Sequence, residues 1–227
     1  RYLLTTTFRA DGSSKFFKNK WGFFPSVALA WSLGNEKFMQ QQDIIQDSKL
    51  RVSYGLVGSQ AISPYETLGL MKQVGYAYGG STKYTGFWAG TSRATPDLTW
   101  EKTHQFNVGI DFATLAHRLR FSIDYFNKTT KDGLLKKTLP QYDGGGTYWV
   151  NACEVVNRGV DFTIDAHILN QKDLNWSSSF TGSYLKNKVT SLDNIPFVQG
   201  YSPAVGLMGD VTRIVVGQPI GAFYLYQ

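Results

Sequence analysis

Between Thr103 and Phe112 the chain alternates without a slip. Thr103, Gln105, Asn107, Gly109 and Asp111 fall on one face, and His104, Phe106, Val108, Ile110 and Phe112 on the other, the period of an extended strand. Ala113 to His117 has the composition of a turn, after which Leu119, Phe121, Ile123 and Tyr125 alternate with Arg120, Ser122 and Asp124. In a soluble half-buried sheet the polar face meets water and the apolar face a core. In a transmembrane barrel the apolar face meets lipid and the polar face a wet lumen.

Composition bears on that choice. Of the 227 residues 15% are aromatic, among them 13 Tyr and 6 Trp, yet the mean hydropathy is only -0.23. Apolar content therefore sits in rings rather than in aliphatic runs. No stretch approaches the ~18 apolar residues of a membrane helix, whereas a barrel strand alternates and needs only about 9 to 11 residues. The net charge of +6 is spread over every segment, which argues against a nucleic-acid partner. Cys153 is the single cysteine, so neither a disulfide nor a multi-thiolate metal site can form within the chain. Arg1 already lies in an apparent strand and Ala222 to Gln227 stops in another, so residues 1–227 are expected to be part of a longer β-domain.

Along the chain, Arg1 to Arg9 reads as a strand followed by the turn Asp11-Gly12-Ser13-Ser14. Val27, Leu29, Trp31 and Leu33 then alternate with Ser26, Ala28, Ala30 and Ser32. A polar connection from Gly34 to Ser48, with a short helix expected around residues 38–45, precedes Lys49, Arg51, Ser53 and Gly55 against Leu50, Val52, Tyr54 and Leu56. Residues 58–98 read as loop, the two central strands run to Leu135, and residues 140–157 read as loop again. Val160, Phe162, Ile164, Ala166 and Ile168 oppose Asp161, Thr163, Asp165 and His167, and Trp176, Phe180 and Tyr184 oppose Ser177, Ser179, Thr181 and Ser183. Leu192 to Asp210 reads as loop, and a last strand from Arg213 is interrupted at Gly217-Gln218-Pro219, since proline cannot donate to a ladder.

About eight strands result, with tight links after the fourth and sixth and much longer ones after the third, fifth and seventh. In an antiparallel meander alternate links share an edge, so one edge carries turns and the other large loops, as in outer-membrane barrels. The middling link after the second strand fits less well. Trp31, Phe112, Tyr125 and Trp176 near strand ends suit an interfacial girdle. The competing folds are a soluble β-sandwich serving as a carbohydrate-binding module, and a complete eight-stranded membrane barrel with a structural or adhesive role.

An ordered series of short motifs resembles the SusC/RagA-type TonB-dependent transporters of the Bacteroidetes outer membrane. It comprises Arg9-Ala10-Asp11-Gly12-Ser13-Ser14 with Phe16, Trp21-Gly22, Phe24-Pro25-Ser26, Leu50-Arg51-Val52-Ser53-Tyr54-Gly55, Leu98-Thr99-Trp100-Glu101, Asp124-Tyr125-Phe126-Asn127-Lys128, Asn157-Arg158-Gly159-Val160 and Gly217-Gln218-Pro219-Ile220-Gly221 with Phe223-Tyr224. Ser59-Gln60 and Ala152-Cys153-Glu154 depart from the pattern. The resemblance implies a barrel of about 22 strands with a plugged lumen, of which this chain supplies roughly a third of the wall. Plug, N-terminal region and barrel closure are expected outside residues 1–227. It further implies uptake of glycan or oligopeptide across the outer membrane, contact with outer-membrane lipid, a SusD-like surface lipoprotein as partner, and energy from the TonB–ExbB–ExbD complex.

The residues themselves offer no catalytic centre and no cofactor motif, so no enzyme is expected. His104, His117 and His167 lack metal-ligand spacing, Asp143 with Gly144-Gly145-Gly146 lacks the strand-to-helix frame of a phosphate loop, and Ser13 and Ser14 have no neighbouring base. The candidate ligand- or partner-contacting residues are the loop rings Tyr84, Phe87, Trp88, Tyr142, Tyr148 and Trp149, which can stack on sugars or pack on a partner. Arg51, Asp111, Arg120, Asp124, Asp161 and Asp165 are the candidate lumen-facing polar residues.

Overall fold

The computed structural model describes residues 1–39, 41, 45–77, 83–89, 92–115, 117–140, 146–170, 174–193, 195–196, 198–199 and 211–224, with the backbone alone at 46, 71–77, 83–89, 170 and 199. Alternation sets the strands. The elements are β1 (Tyr2–Gly12), β2 (Trp21–Ser32), β3 (Ile45–Ser59), β4 (Met71–Ala77), β5 (Lys83–Ala89), β6 (Glu101–Thr114), β7 (Leu119–Thr138), β8 (Thr147–Asn170) and β9 (Asn175–Ser191). Seven of them form one sheet in the order β1-β2-β3-β6-β7-β8-β9, each antiparallel to its neighbour, while among the described residues β4 and β5 pair only with each other. With that hairpin set aside, sheet order is chain order: an up-and-down meander without crossovers.

Several boundaries differ from the sequence expectation. The stretch 58–98 holds the β4–β5 hairpin, and β8 begins at Thr147 inside what reads as loop. The strand expected from Arg213 does not join the wall. It forms β11 (Thr212–Ile214), which pairs with β10 (Val198–Gln199) and β12 (Ala222–Phe223) in a small separate sheet. Gly217 and Gly221, at φ +91° and +75°, turn the chain between β11 and β12, a conformation only glycine adopts without strain. The helix expected around residues 38–45 falls largely on 40 and 42–44, outside the described residues; just before it lies a 3-10 turn, Leu33–Asn35.

The connections sort by edge. By the strand ends, the short links 115–118 and 171–174 and the longer 33–44 link join strands at one edge, and the links 13–20, 60–100 and 139–146 join strands at the other. The link after β7 is shorter than expected because β7 and β8 run on as a ribbon of 20 and 24 residues, about twice what a bilayer requires. A register shift between Thr130 and Gly133 marks where the ribbon departs from the regular ladder.

The packed interior lies at the long-link end, not behind the sheet. Phe16, Phe24, Ile62, Leu98 and Trp100 form one cluster, with Leu56, Leu134 and Trp149 against it. Cys153, Val155, Val189 and Leu192 form a second, flanked by Ile195, Val198 and Ile214. The apolar face of the sheet has no such cover. Phe106, Ile110 and Ile123 are 40%, 37% and 43% exposed, and Leu4, Phe180 and Tyr184 more so. A sandwich would bury those side chains under a second sheet, and none lies on them among the described residues.

The outline of that apolar band is itself informative. Leu29 on β2 shares a row across the sheet with Val52, Val108, Tyr125, Val160 and Tyr184 on β9. On β9 the rings end with Tyr184 and continue the other way to Trp176, whereas on β2 they extend past Leu29 to Phe23 and Trp21. From the shared row the band climbs three two-residue steps to Phe23 and a fourth to Trp21 over five strand intervals. Strands ~4.8 Å apart and tilted by about 40° give ~20 Å, or roughly six residues, over that width. A level hydrocarbon belt on tilted strands accounts for the slope.

Candidate functional site

The polar face carries a connected charge network. On β3, Arg51 donates from Nε to Asp111 Oδ2 at 2.8 Å and from Nη2 to Asp111 Oδ1 at 2.8 Å, a two-pronged pair with β6. The same Nη2 donates to Asp124 Oδ2 on β7 at 3.0 Å. Ser122 Oγ lies 2.8 Å from Asp111 Oδ1 and 3.3 Å from Asp124 Oδ2, so it closes the ring. The register explains the span: Arg51 stands opposite Gly109, and Gly109 opposite Asp124. A side chain on Gly109 would meet Asp124 Oδ1 at 2.0 Å and Arg51 Nη2 at 3.0 Å, so glycine leaves the lane through which the guanidinium crosses β6.

The row continues from Asp124 to Asp161 on β8, which accepts a hydrogen bond from Ser183 on β9. Arg120 and Asp165 are register partners nearer the tight turns and line one depression together with Lys49 and Asp111. All six candidate polar residues thus share one face, and three of them interlock. Gly109 and Ser122 were missed as participants, because alternation gives a residue's face but not the register that joins it to residues of other strands.

The candidate rings divide. Tyr84, Phe87 and Trp88 lie on strand β5 rather than in a loop, opposite Tyr76, Gln73 and Lys72, and Tyr142 lies outside the described residues. Tyr148 and Trp149 also belong to a strand, β8. Trp149 is committed to the fold: its indole N–H donates to Glu66, Lys136 sits over its ring at 5.6 Å, and it packs on the first apolar cluster. Tyr148 has the Arg93 guanidinium over its ring at 5.9 Å.

Asn151 is a staple that sequence reading also missed. Its amide donates to the carbonyls of Thr99 at 2.9 Å and Asp132 at 2.7 Å and accepts from Thr99 N–H at 2.9 Å, which ties the link before β6 to the β7–β8 ribbon. The histidines are scattered, with His104 Nδ1 2.8 Å from Tyr54 Oη and His117 Nδ1 3.2 Å from Asp47 Oδ2.

Residues 1–217 match the family described as TonB dependent receptor-like, beta-barrel. The chain belongs to that family. Among curated relatives of this TonB-dependent receptor chain, TonB-dependent receptor P3 of Formosa agariphila is 37% identical over 229 residues, all of this chain and 23% of that protein. TonB-dependent receptor SusC of Bacteroides thetaiotaomicron is 34% identical over 243 residues, again all of this chain and 24% of the relative. The chain thus spans about a quarter of the relatives it matches. Among solved structures, the RagAB peptide transporter superposes with a TM-score of 0.82 at 28% identity, over 98% of this chain and 23% of that one. The siderophore receptor PirA of Pseudomonas aeruginosa, at 15% identity and TM-score 0.51, shares the fold. As a TonB-dependent receptor of the SusC and RagA kind, the protein is an outer-membrane β-barrel whose apolar face meets lipid.

Proposed function

We propose that this chain is a stretch of barrel wall in an outer-membrane importer of glycan or oligopeptide, working with a SusD-like surface lipoprotein and driven by the TonB–ExbB–ExbD complex. The observation that carries the proposal is the two-faced sheet: an uncovered apolar band on one side, and on the other the Arg51–Asp111–Asp124 network. Charge locked strand to strand suits a wall that stays wet and keeps its shape while a plug, supplied elsewhere in the parent protein, moves past it. In this reading Arg120, Asp161 and Asp165 line the same lumen, and Tyr148 at the long-link end is the best placed of the candidate rings to meet a substrate or partner. Likeness to RagAB, a peptide transporter, supports the oligopeptide arm; the kinship with SusC leaves glycan as the other.

The test uses the full-length parent in its own outer membrane. Uptake of fluorescent oligopeptides and of oligosaccharides is compared in cells with and without the parent, and with and without TonB. Loss of uptake of one class on removing either component is the expected result. Uptake indifferent to TonB, or a purified parent that is monodisperse in buffer without detergent, overturns the proposal.

A further inference from the structure

We infer that the outward face of this wall carries a binding site for a phosphate-bearing lipid of the outer leaflet, built from Arg158, Lys186 and Lys188. The inference rests on the membrane placement of the wall and not on what the receptor imports. Arg158 continues the outward series Ile164, Phe162, Val160 of β8, and Lys186 and Lys188 continue Phe180, Gly182, Tyr184 of β9. Arg158 stands opposite Lys186, and the neighbouring outward row pairs Val156 with Lys188. Three cations therefore gather on adjacent strands within two rows, about 5–7 Å apart by sheet geometry.

Like charges set opposite each other on one face repel, and a neighbouring carboxylate usually relieves them. That relief is present close by, where Lys131 pairs with Glu154 at 3.7 Å and Lys102 with Asp132 at 3.9 Å. Among the described residues no carboxylate lies within salt-bridge distance of Arg158, Lys186 or Lys188, and all three side chains are exposed. The repulsion calls for an anion from outside the chain.

The height says what kind. The three cations come immediately after Val160 and Tyr184, where the sloping apolar band ends on these strands, and at the long-link edge, which faces the cell exterior in barrels of this type. The patch is continuous with the surface that meets acyl chains, and the Tyr184 ring, 70% exposed, stands at the border. An occupant of both zones has acyl chains below and phosphate above. A guanidinium fork flanked by two ammonium groups suits that phosphate, whereas a soluble anion has no use for the band.

The experiment takes the purified full-length parent in nanodiscs of zwitterionic phospholipid and titrates it with lipopolysaccharide, either carrying its lipid A phosphates or enzymatically dephosphorylated, with bound lipid counted by native mass spectrometry. The wild type is expected to hold the phosphorylated form in preference. The triple variant Arg158→Gln, Lys186→Gln, Lys188→Gln is expected to lose roughly fivefold in retention per charge, about a hundredfold in all. The charge-keeping variant Arg158→Lys, Lys186→Arg, Lys188→Arg should restore most of it. Should the triple variant fail to fold, the wild type alone decides, since its preference must fall as ionic strength rises. Equal retention of both lipids by the wild type, or equal retention of the phosphorylated lipid by wild type and a folded triple variant, overturns the inference.

Discussion

Arg51 reaches Asp124 because residue 109 has no side chain. Antiparallel strands lie ~4.8 Å apart, so a contact between β3 and β7 spans two intervals, and only a long side chain over an empty middle position makes it. A methyl group on Gly109 takes the space of Asp124 Oδ1. Gly109→Ala in the full-length parent is therefore expected to part Arg51 from Asp124 while leaving the pair with Asp111. The three side chains are 32% to 38% exposed, so the cost is set by a screened ion pair rather than a buried one, about 1 kcal/mol. Urea unfolding of the parent in detergent measures it, and a double-mutant cycle tests its origin: in an Asp124→Asn background the same Gly109→Ala change should cost distinctly less. Full additivity would mean that the glycine serves something other than this contact.

At the scale of elements, what was legible in the sequence follows from what each strand touches. Where one face meets lipid and the other water, as in β6, β7 and the Val160–Ile168 part of β8, alternation is clean and the strands were read correctly. Past the register shift at Thr130 that two-sided setting ends: Lys131, Lys136 and Lys137 are exposed while other positions pack into the two apolar clusters. There Trp149-Val150 and Val155-Val156 set apolar residues side by side, because Val155 packs with Val189 and Leu192 while Trp149 packs with the other cluster, and the period disappears. The β4–β5 hairpin lacks period too, pairing only with itself among the described residues. Of the polar face, the side on which each residue lies was legible and the partners were not, since partners depend on register. Cys153 shows the consequence. Placed by sequence in a loop, it lies 7% exposed in the second cluster, where burial, and after it the Glu101 carboxylate, raise the thiol's pKa. A raised pKa means less thiolate at neutral pH and a rate that goes on climbing with pH after an ordinary thiol has levelled off. In the folded parent a water-soluble maleimide at neutral pH should modify Cys153 at least about tenfold more slowly than after boiling in SDS. Equal rates would show that the ribbon is open.

For the whole molecule, the wall fits two states of one neighbour almost equally. The RagAB importer in its 'closed-closed' state superposes at a TM-score of 0.82 and in its 'open-open' state at 0.80. A sheet whose every strand is laddered to the next, with an ion network tying three of them, has no cheap internal hinge. The same construction makes the stretch dependent on its surroundings. β1 and β9 are the two edges of an open sheet; Val189 near the end of β9 bonds to Gly217 and Gln218, and the rest of each edge has no strand beside it among the described residues. The outward face bears Leu4 and Phe8, both 68% exposed, and Phe180 at 61%, far beyond the scattered rings that a soluble surface tolerates. Residues 1–227 expressed alone should therefore sediment as aggregate from detergent-free buffer. Analytical ultracentrifugation reads the outcome, with the full-length parent in detergent as the folded control. A monodisperse species with a cooperative melt would mean that Phe106, Ile110 and Ile123 have found cover within the chain, and the soluble sandwich would then replace the membrane wall as the fold.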